Sequence, residues 1–173
     1  MTTHAWILMG LLVLGLPCAA LAGDGSPAPS SNTEGASRVV ALVAGQAHTC
    51  ALQATGRAVC WGSNEHGQVE VPEHAGPFIS LAAGASHSCG LQADGRAVCW
   101  GAGQADGTGS PHAGQSAVPQ DAAPFTALAA GDRHTCGLKV DGQVDCWGGN
   151  ESGQATDQSG VYVALSAGAR HTC

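Results

Sequence analysis

Lysine is almost absent from this sequence: Lys139 is the only one in 173 residues. Charged residues of all kinds make up 11%, the net charge is −7, and no Lys/Arg cluster occurs anywhere. The chain therefore lacks the basic face that displaces counterions from a phosphate backbone, and no nucleic-acid partner is expected. So few charges also exclude a long solvated helix, and 26 glycines exclude a helical bundle. Turn-rich β structure fits this composition. Asp106-Gly107-Thr108-Gly109 is no phosphate loop, because no Gly-Lys-Ser/Thr follows it. The Cys-x-x-Cys spacing of extracellular zinc sites is missing, and paired acids are not evident; Asp94 and Asp141 read as turn formers.

One long apolar run is present. Residues 5–22 are apolar apart from glycine, proline and Cys18, and Ala20-Leu21-Ala22 supplies a small-x-small pattern before Gly23. Residues 1–22 read as a secretory signal peptide, which places the mature chain outside the cytoplasm, in a periplasm, at a cell surface or secreted. Met1-Thr2-Thr3-His4 carries no Lys or Arg, and the competing reading is an uncleaved anchor. A span usually needs about 20 apolar residues with flanking charges, which favours cleavage. Gly15-Leu16-Pro17 before Cys18 makes a poor lipobox. Residues 23–37 are Gly, Ser, Pro, Ala and short polar residues, a flexible lead-in with nothing to bury. No other segment is long and apolar enough to cross a membrane.

What remains is repetition. Ala44-Gly45-Gln46-Ala47-His48-Thr49-Cys50 returns as Ala83-Gly84-Ala85-Ser86-His87-Ser88-Cys89, as Ala130-Gly131-Asp132-Arg133-His134-Thr135-Cys136 and as Ala167-Gly168-Ala169-Arg170-His171-Thr172-Cys173. The glycines lie 39, 47 and 37 residues apart. A period near 40 signals stacked supersecondary units, here about 38–77, 78–124, 125–161 and a partial 162–173. The long middle spacing places an insertion within residues 102–120, a Gly-, Ala-, Ser- and Pro-rich loop. A strand beginning at Val39, Phe78, Phe125 or Tyr162 precedes each motif. Asn64-Glu65-His66-Gly67-Gln68, Asn150-Glu151-Ser152-Gly153-Gln154 and a degenerate Gly103-Gln104-Ala105-Asp106-Gly107 read as turns leading to a short fourth strand.

Each unit continues into a hairpin. Thr55-Gly56, Asp94-Gly95 and Asp141-Gly142 sit midway between paired cysteines, and a three-residue loop ending in a left-handed glycine sets the register. Cys50 then faces Cys60, Cys89 faces Cys99 and Cys136 faces Cys146, at a separation a disulfide accepts. Three structural disulfides within hairpins are expected, in keeping with an oxidising compartment. Cys173 occupies the position of Cys50 and is left unpaired. The same register sets Gly62, Gly101 and Gly148 opposite His48, His87 and His134, where a ring shields bare backbone. Ala51, Gly90 and Gly137 leave room for the indoles of Trp61, Trp100 and Trp147.

The pattern Ala-Gly-x-x-His-Thr-Cys-x-Leu, then x-x-Gly-x-x-x-Cys-Trp-Gly, then Asn-x-x-Gly-Gln resembles the regulator of chromosome condensation repeat family, in the cysteine-bearing form of exported bacterial proteins. The resemblance runs from Val39 to Cys173. It implies an all-β fold, a β-propeller of antiparallel four-stranded blades. Three complete repeats and the start of a fourth cannot close such a ring, so the sequence is expected to be a fragment. An open apolar flank is then expected to drive self-association. The family's exchange-factor role does not transfer, because no residue here matches an exchange site.

The chemistry is weighed against this scaffold. His48-x-Cys50, His87-x-Cys89 and His134-x-Cys136 place both side chains on one strand face, where zinc is the alternative to a disulfide plus a packing histidine. Local cysteine pairing and export favour the disulfide, so no metal or cofactor is expected. A Cys-His pair repeated in every blade reads as scaffold, and no catalytic residue is assigned. Each tryptophan occupies one blade position, which favours core packing over sugar stacking. Two functional classes stay open: a non-catalytic module presenting rim loops to a protein partner, and a carbohydrate-binding or hydrolytic propeller using its central channel. The channel positions 81–84, 128–131 and 165–168 hold only Leu, Ala, Ser and Gly, which favours the first. Asp106, Thr108, His112 and Gln115 in the insertion are the candidate contact residues, with a neutral insertion as the equal alternative.

Overall fold

The structure is a computed structural model and describes residues 38–104, 110–122, 124–157 and 159–173. The signal-peptide and linker readings lie outside these residues. The described residues form three antiparallel sheets and no helix. The first holds β1 (Val39–Ala44), β2 (His48–Gln53) and β3 (Ala58–Gly62). The second holds β4 (Phe78–Ala83), β5 (His87–Gln92) and β6 (Ala97–Gly101). The third holds β7 (Phe125–Ala130), β8 (His134–Lys139) and β9 (Val144–Gly148). In each sheet the strands lie side by side in chain order.

The hairpin register follows from its turn. Gly56, Gly95 and Gly142 have φ of 82°, 84° and 81°, left-handed backbone that glycine adopts without a Cβ penalty. In the second blade Gln92 N–H then reaches Arg96 O at 2.9 Å and closes the loop. Cys50, Cys89 and Cys136 stand opposite Cys60, Cys99 and Cys146 and are bonded to them. Cys173 is free and exposed.

A second feature lies in the first strand of each sheet. The register with the middle strand slips by one residue between Val39 and Ala41, Phe78 and Ser80, and Phe125 and Ala127. In a regular strand Phe78 and Leu81, three apart, would face opposite ways; a one-residue bulge restores their parity. Both now pack with Val98 and Trp100 against Cys50, Leu52 and Ala58 of the first sheet. On the other face of the second sheet Ala82, Cys89, Leu91 and Cys99 pack against Phe125, Leu128 and Trp147 of the third. Sheets thus stack face to face as propeller blades, and each seam is a separate apolar core. The disulfides lie inside blades, never across a seam.

Four expectations are corrected. The blades are three-stranded rather than four-stranded, in a ring that is open as expected. Side chains occupy backbone groups on the outer strands, where a fourth strand would pair: Gln104 Nε2 donates to Cys99 O at 3.1 Å, and Cys146 N–H donates to Asp157 Oδ1 at 3.1 Å. The space over Gly90 and Gly137 belongs to phenylalanine rather than indole. A Cβ on either glycine would lie 2.4 Å from the ring of Phe78 or Phe125. Those rings stack on Trp100 and Trp147, with centroids 5.9 and 5.8 Å apart. His48, His87 and His134 do stand opposite Gly62, Gly101 and Gly148, yet their rings lie against Gly45, Gly84 and Gly131 instead. Finally, the fourth copy forms no strand: Ala167 bridges Thr172, and Ser166 exchanges backbone bonds with Cys173.

Candidate functional site

The repeated polar residues converge on the seams. His48 Nε2 lies 2.9 Å from Ser88 Oγ, His87 Nε2 2.8 Å from Thr135 Oγ1, and His134 Nε2 3.0 Å from Thr172 Oγ1. Each pair joins one blade to the next. Each hydroxyl in turn donates to a main-chain carbonyl of the blade before it: Ser88 to Gln68 O at 3.0 Å, Thr135 to Gln115 O at 2.9 Å, Thr172 to Gln154 O at 3.1 Å. Trp100 Nε1–H and Trp147 Nε1–H reach the same carbonyls of Gln68 and Gln115, at 3.0 and 2.9 Å.

These bonds fix where the histidine proton sits. A hydroxyl that gives its hydrogen to a carbonyl can only accept from the imidazole, so Nε2 carries the proton and Nδ1 a lone pair. All three Nδ1 atoms are buried without a hydrogen-bond partner among the described residues. The ring edge instead packs on a glycine: a Cβ on Gly84 would lie within 2.1 Å of His87 Cε1 and 2.4 Å of Gly131 O. Burial disfavours the charged imidazolium. It pushes His87 down to about 3, with His48 and His134 adding repulsion. Burial also lowers His48 and His134, the latter opposed by Asp132.

The buried role of the glutamines is what the sequence does not show. Gln68, Gln115 and Gln154 are buried. Their Oε1 atoms accept from the backbone N–H two residues earlier, of His66, Ala113 and Ser152, at 2.9, 2.7 and 2.7 Å. The side chain thereby shapes the turn that aims the glutamine carbonyl at the next blade. The third member of this set is Pro111-His112-Ala113-Gly114-Gln115, not Gly103-Gln104-Ala105-Asp106-Gly107. The signal was the Gly-Gln pair, which Gly103-Gln104 imitates.

This relocates the insertion. Ser116 Oγ donates to Ala102 O at 2.7 Å and Ser116 N–H to Gly103 O at 3.1 Å, which clamps the neck of the loop. The extra residues fall within 103–110. Asp106 and Thr108 fall outside the described residues. Gln115 is fully buried, with Nε2 donating to Pro111 O at 2.8 Å, so it is frame rather than contact surface. His112 is partly exposed on the rim. Its Nδ1 accepts from Gly103 N–H at 2.9 Å, and its ring meets that of His66 edge to face, with centroids 5.8 Å apart.

Residues 44–46, 83–85, 130–132 and 167–169 line a groove of about 320 Å³, in which Gln46 and Asp132 are the polar side chains. A single carboxylate supplies no acid–base pair. The sulfurs that zinc would use are joined in disulfides, and the facing Nε2 atoms are held by hydroxyls.

The arrangement is matched by known proteins. The model of the Regulator of chromosome condensation (RCC1) repeat fits residues 39–68, 78–115 and 125–154, each match ending on a buried glutamine of the seam. Among solved structures the chain is similar to the entire ectodomain of the Physcomitrella patens receptor kinase CR4, with 31% identity over 77% of this chain and 34% of that one and a TM-score of 0.60. It is similar to the CRINKLY WD40 ectodomain of the Arabidopsis thaliana receptor kinase ACR4, with 26% identity over 80% and 46% and a TM-score of 0.64. It also shares the fold of yeast RCC1 (Prp20), solved bound to Kap60, with 20% identity over 82% and 42% and a TM-score of 0.64. The chain spans between a third and a half of these proteins. No curated protein matches it in sequence. Three repeat matches cover more than half of the residues and end on the same structural element, and the chain belongs to the regulator of chromosome condensation (RCC1) repeat family.

Proposed function

We propose that this chain is part of an exported, non-catalytic β-propeller that binds a protein partner through its rim loops. The observation that carries this reading is the division of labour among the residues. The recurring histidines, the hydroxyls of Ser88, Thr135 and Thr172 and the glutamine carbonyls are engaged across the seams, and the variation between repeats falls in the connecting segments outside them. Recognition on one face of a fixed frame is the usual plan of repeat proteins. Three disulfides fit an oxidising compartment, as do the receptor ectodomains among the similar structures. A net charge of −7 favours a protein over a nucleic acid as partner.

The contact element is the insertion within residues 103–110, together with the neighbouring His112 and His66. Capture of the partner by the intact protein tests it, with residues 105–109 deleted or with His112→Ala. Capture is expected to be lost on deletion and weakened by H112A. Unchanged capture removes the loop from the interface, and a measured hydrolytic or transferase activity overturns the non-catalytic reading.

One observation favours the carbohydrate-binding alternative: Trp61 is half exposed, whereas Trp100 and Trp147 are buried. Saturable quenching of tryptophan emission by an oligosaccharide, lost in Trp61→Phe, would establish it.

A further inference from the structure

We propose that the seam histidines form a proton-operated latch: the blades stay docked while Nδ1 is bare, and protonation there parts neighbouring blades while each keeps its disulfide-closed hairpin. The Nε2–H donor of each histidine is fixed by the direction of the hydroxyl bond. A proton taken up must therefore go to Nδ1. That atom is buried, has no partner in any of the three seams and packs against a glycine of its own blade beside the next blade's carbonyl. A new N–H there is a buried donor with no acceptor in hydrogen-bond geometry among the described residues, attached to a buried charge.

The neighbouring charges do not relieve it. His87 faces His48 on one side and His134 on the other. His134 faces Asp132, the one acid acting on the set among the described residues, and His171. Burial acts alone on His48. Separation rather than adaptation is the outcome, because a seam is held by apolar packing and these bonds with no covalent link across it. Within a blade the ladder and the disulfide are untouched by the proton.

The sign follows from linkage. A histidine held below its unfolded value in the closed seam contributes stability that is whole above about pH 6.5 and is lost as pH falls toward its folded value. The opening constant then rises about tenfold per pH unit for each such histidine. For His87 the window runs from about 6.5 down to about 3.

The test uses the full chain with its disulfides intact. Denaturant unfolding followed by tryptophan emission at pH 7, 6 and 5 reads the seams, because Trp100 and Trp147 are buried in them. His87→Gln keeps an N–H donor for Thr135 and cannot titrate. It is expected to flatten the pH dependence by about tenfold per unit, and hydrogen exchange at pH 5 in the parent chain should speed up at seam amides before hairpin amides. The same pH dependence in H87Q and parent overturns the proposal. If H87Q does not fold, nitrogen-15 shifts of the parent decide. Neutral Nε2–H rings at pH 5 support the latch, and imidazolium rings in intact seams refute it.

Discussion

The first and third blades carry the same tryptophan at the same place, and they treat it differently. Trp147 is 7% exposed, stacked on Phe125 and bonded through Nε1 to Gln115 O. Trp61 is 50% exposed, and Leu42 and Val59 beside it are exposed as well. The second blade sides with the third: Trp100 is 3% exposed and bonded to Gln68 O. Thr49 is partly exposed where Ser88 and Thr135 are buried. The residue types barely change across these positions, so the difference is the neighbour. A single repeat cannot bury its own flank, and the blade before it completes the pocket.

The sharpest way to break this comparison is to remove the indoles. Trp147→Ala and Trp100→Ala are expected to cost about 3–5 kcal/mol, and Trp61→Ala less than about 1 kcal/mol. Chemical denaturation of the three variants decides, and equal losses would mean that the flank of the first blade is covered after all. Gly90→Ala is the next largest. The added methyl meets the Phe78 ring at 2.4 Å, and a loss of about 1–3 kcal/mol is expected from overpacking. The first blade already holds Ala51, with Val39 in place of the phenylalanine. Ala51→Gly should therefore change stability little, and a gain from it would contradict the pairing of ring with glycine. The smallest contrast is the hydroxyl. Thr135→Val removes the partner of His87 and Gln115 O, at about 1–2 kcal/mol, whereas Thr49→Val should fall within about 0.5 kcal/mol. A large effect at Thr49 would place an unseen carbonyl against it.

The hairpins and their disulfides were legible in the sequence because everything that determines them lies within about a dozen residues: a left-handed glycine, opposed cysteines and a short loop. The seams were not, because His87 and Thr135 are 48 positions apart and nothing local ties them. The glutamine turn was misread in the second repeat for a physical reason too. Asn64 is tied to the Val69 amide and Asn150 to that of Ala155, while Pro111 stands at the corresponding place in the second repeat. With its asparagine gone, Gly103-Gln104 looked equally good. The bulge at Ile79 is not legible in the sequence, because parity shows only when Phe78 and Leu81 are known to share a face. The loop residue Gln115 was misjudged as a contact for the opposite reason: a polar residue in a glycine-rich stretch reads as exposed until its three hydrogen-bonding roles are seen.

Each seam also has a direction. The earlier blade always offers an imidazole N–H and a glutamine carbonyl, and the later blade always answers with a hydroxyl and, where its second hairpin strand is present, an indole. Every interior repeat therefore has a sending edge and a receiving edge of fixed character. A whole repeat can be cut out or copied in tandem between equivalent glycines, and the edges brought together still match. A cut that falls out of phase joins two edges of the same kind. Tandem copying in phase is thus a change in length that the fold accepts without any compensating substitution, and the number of blades is free to vary where the order of residues within one is not.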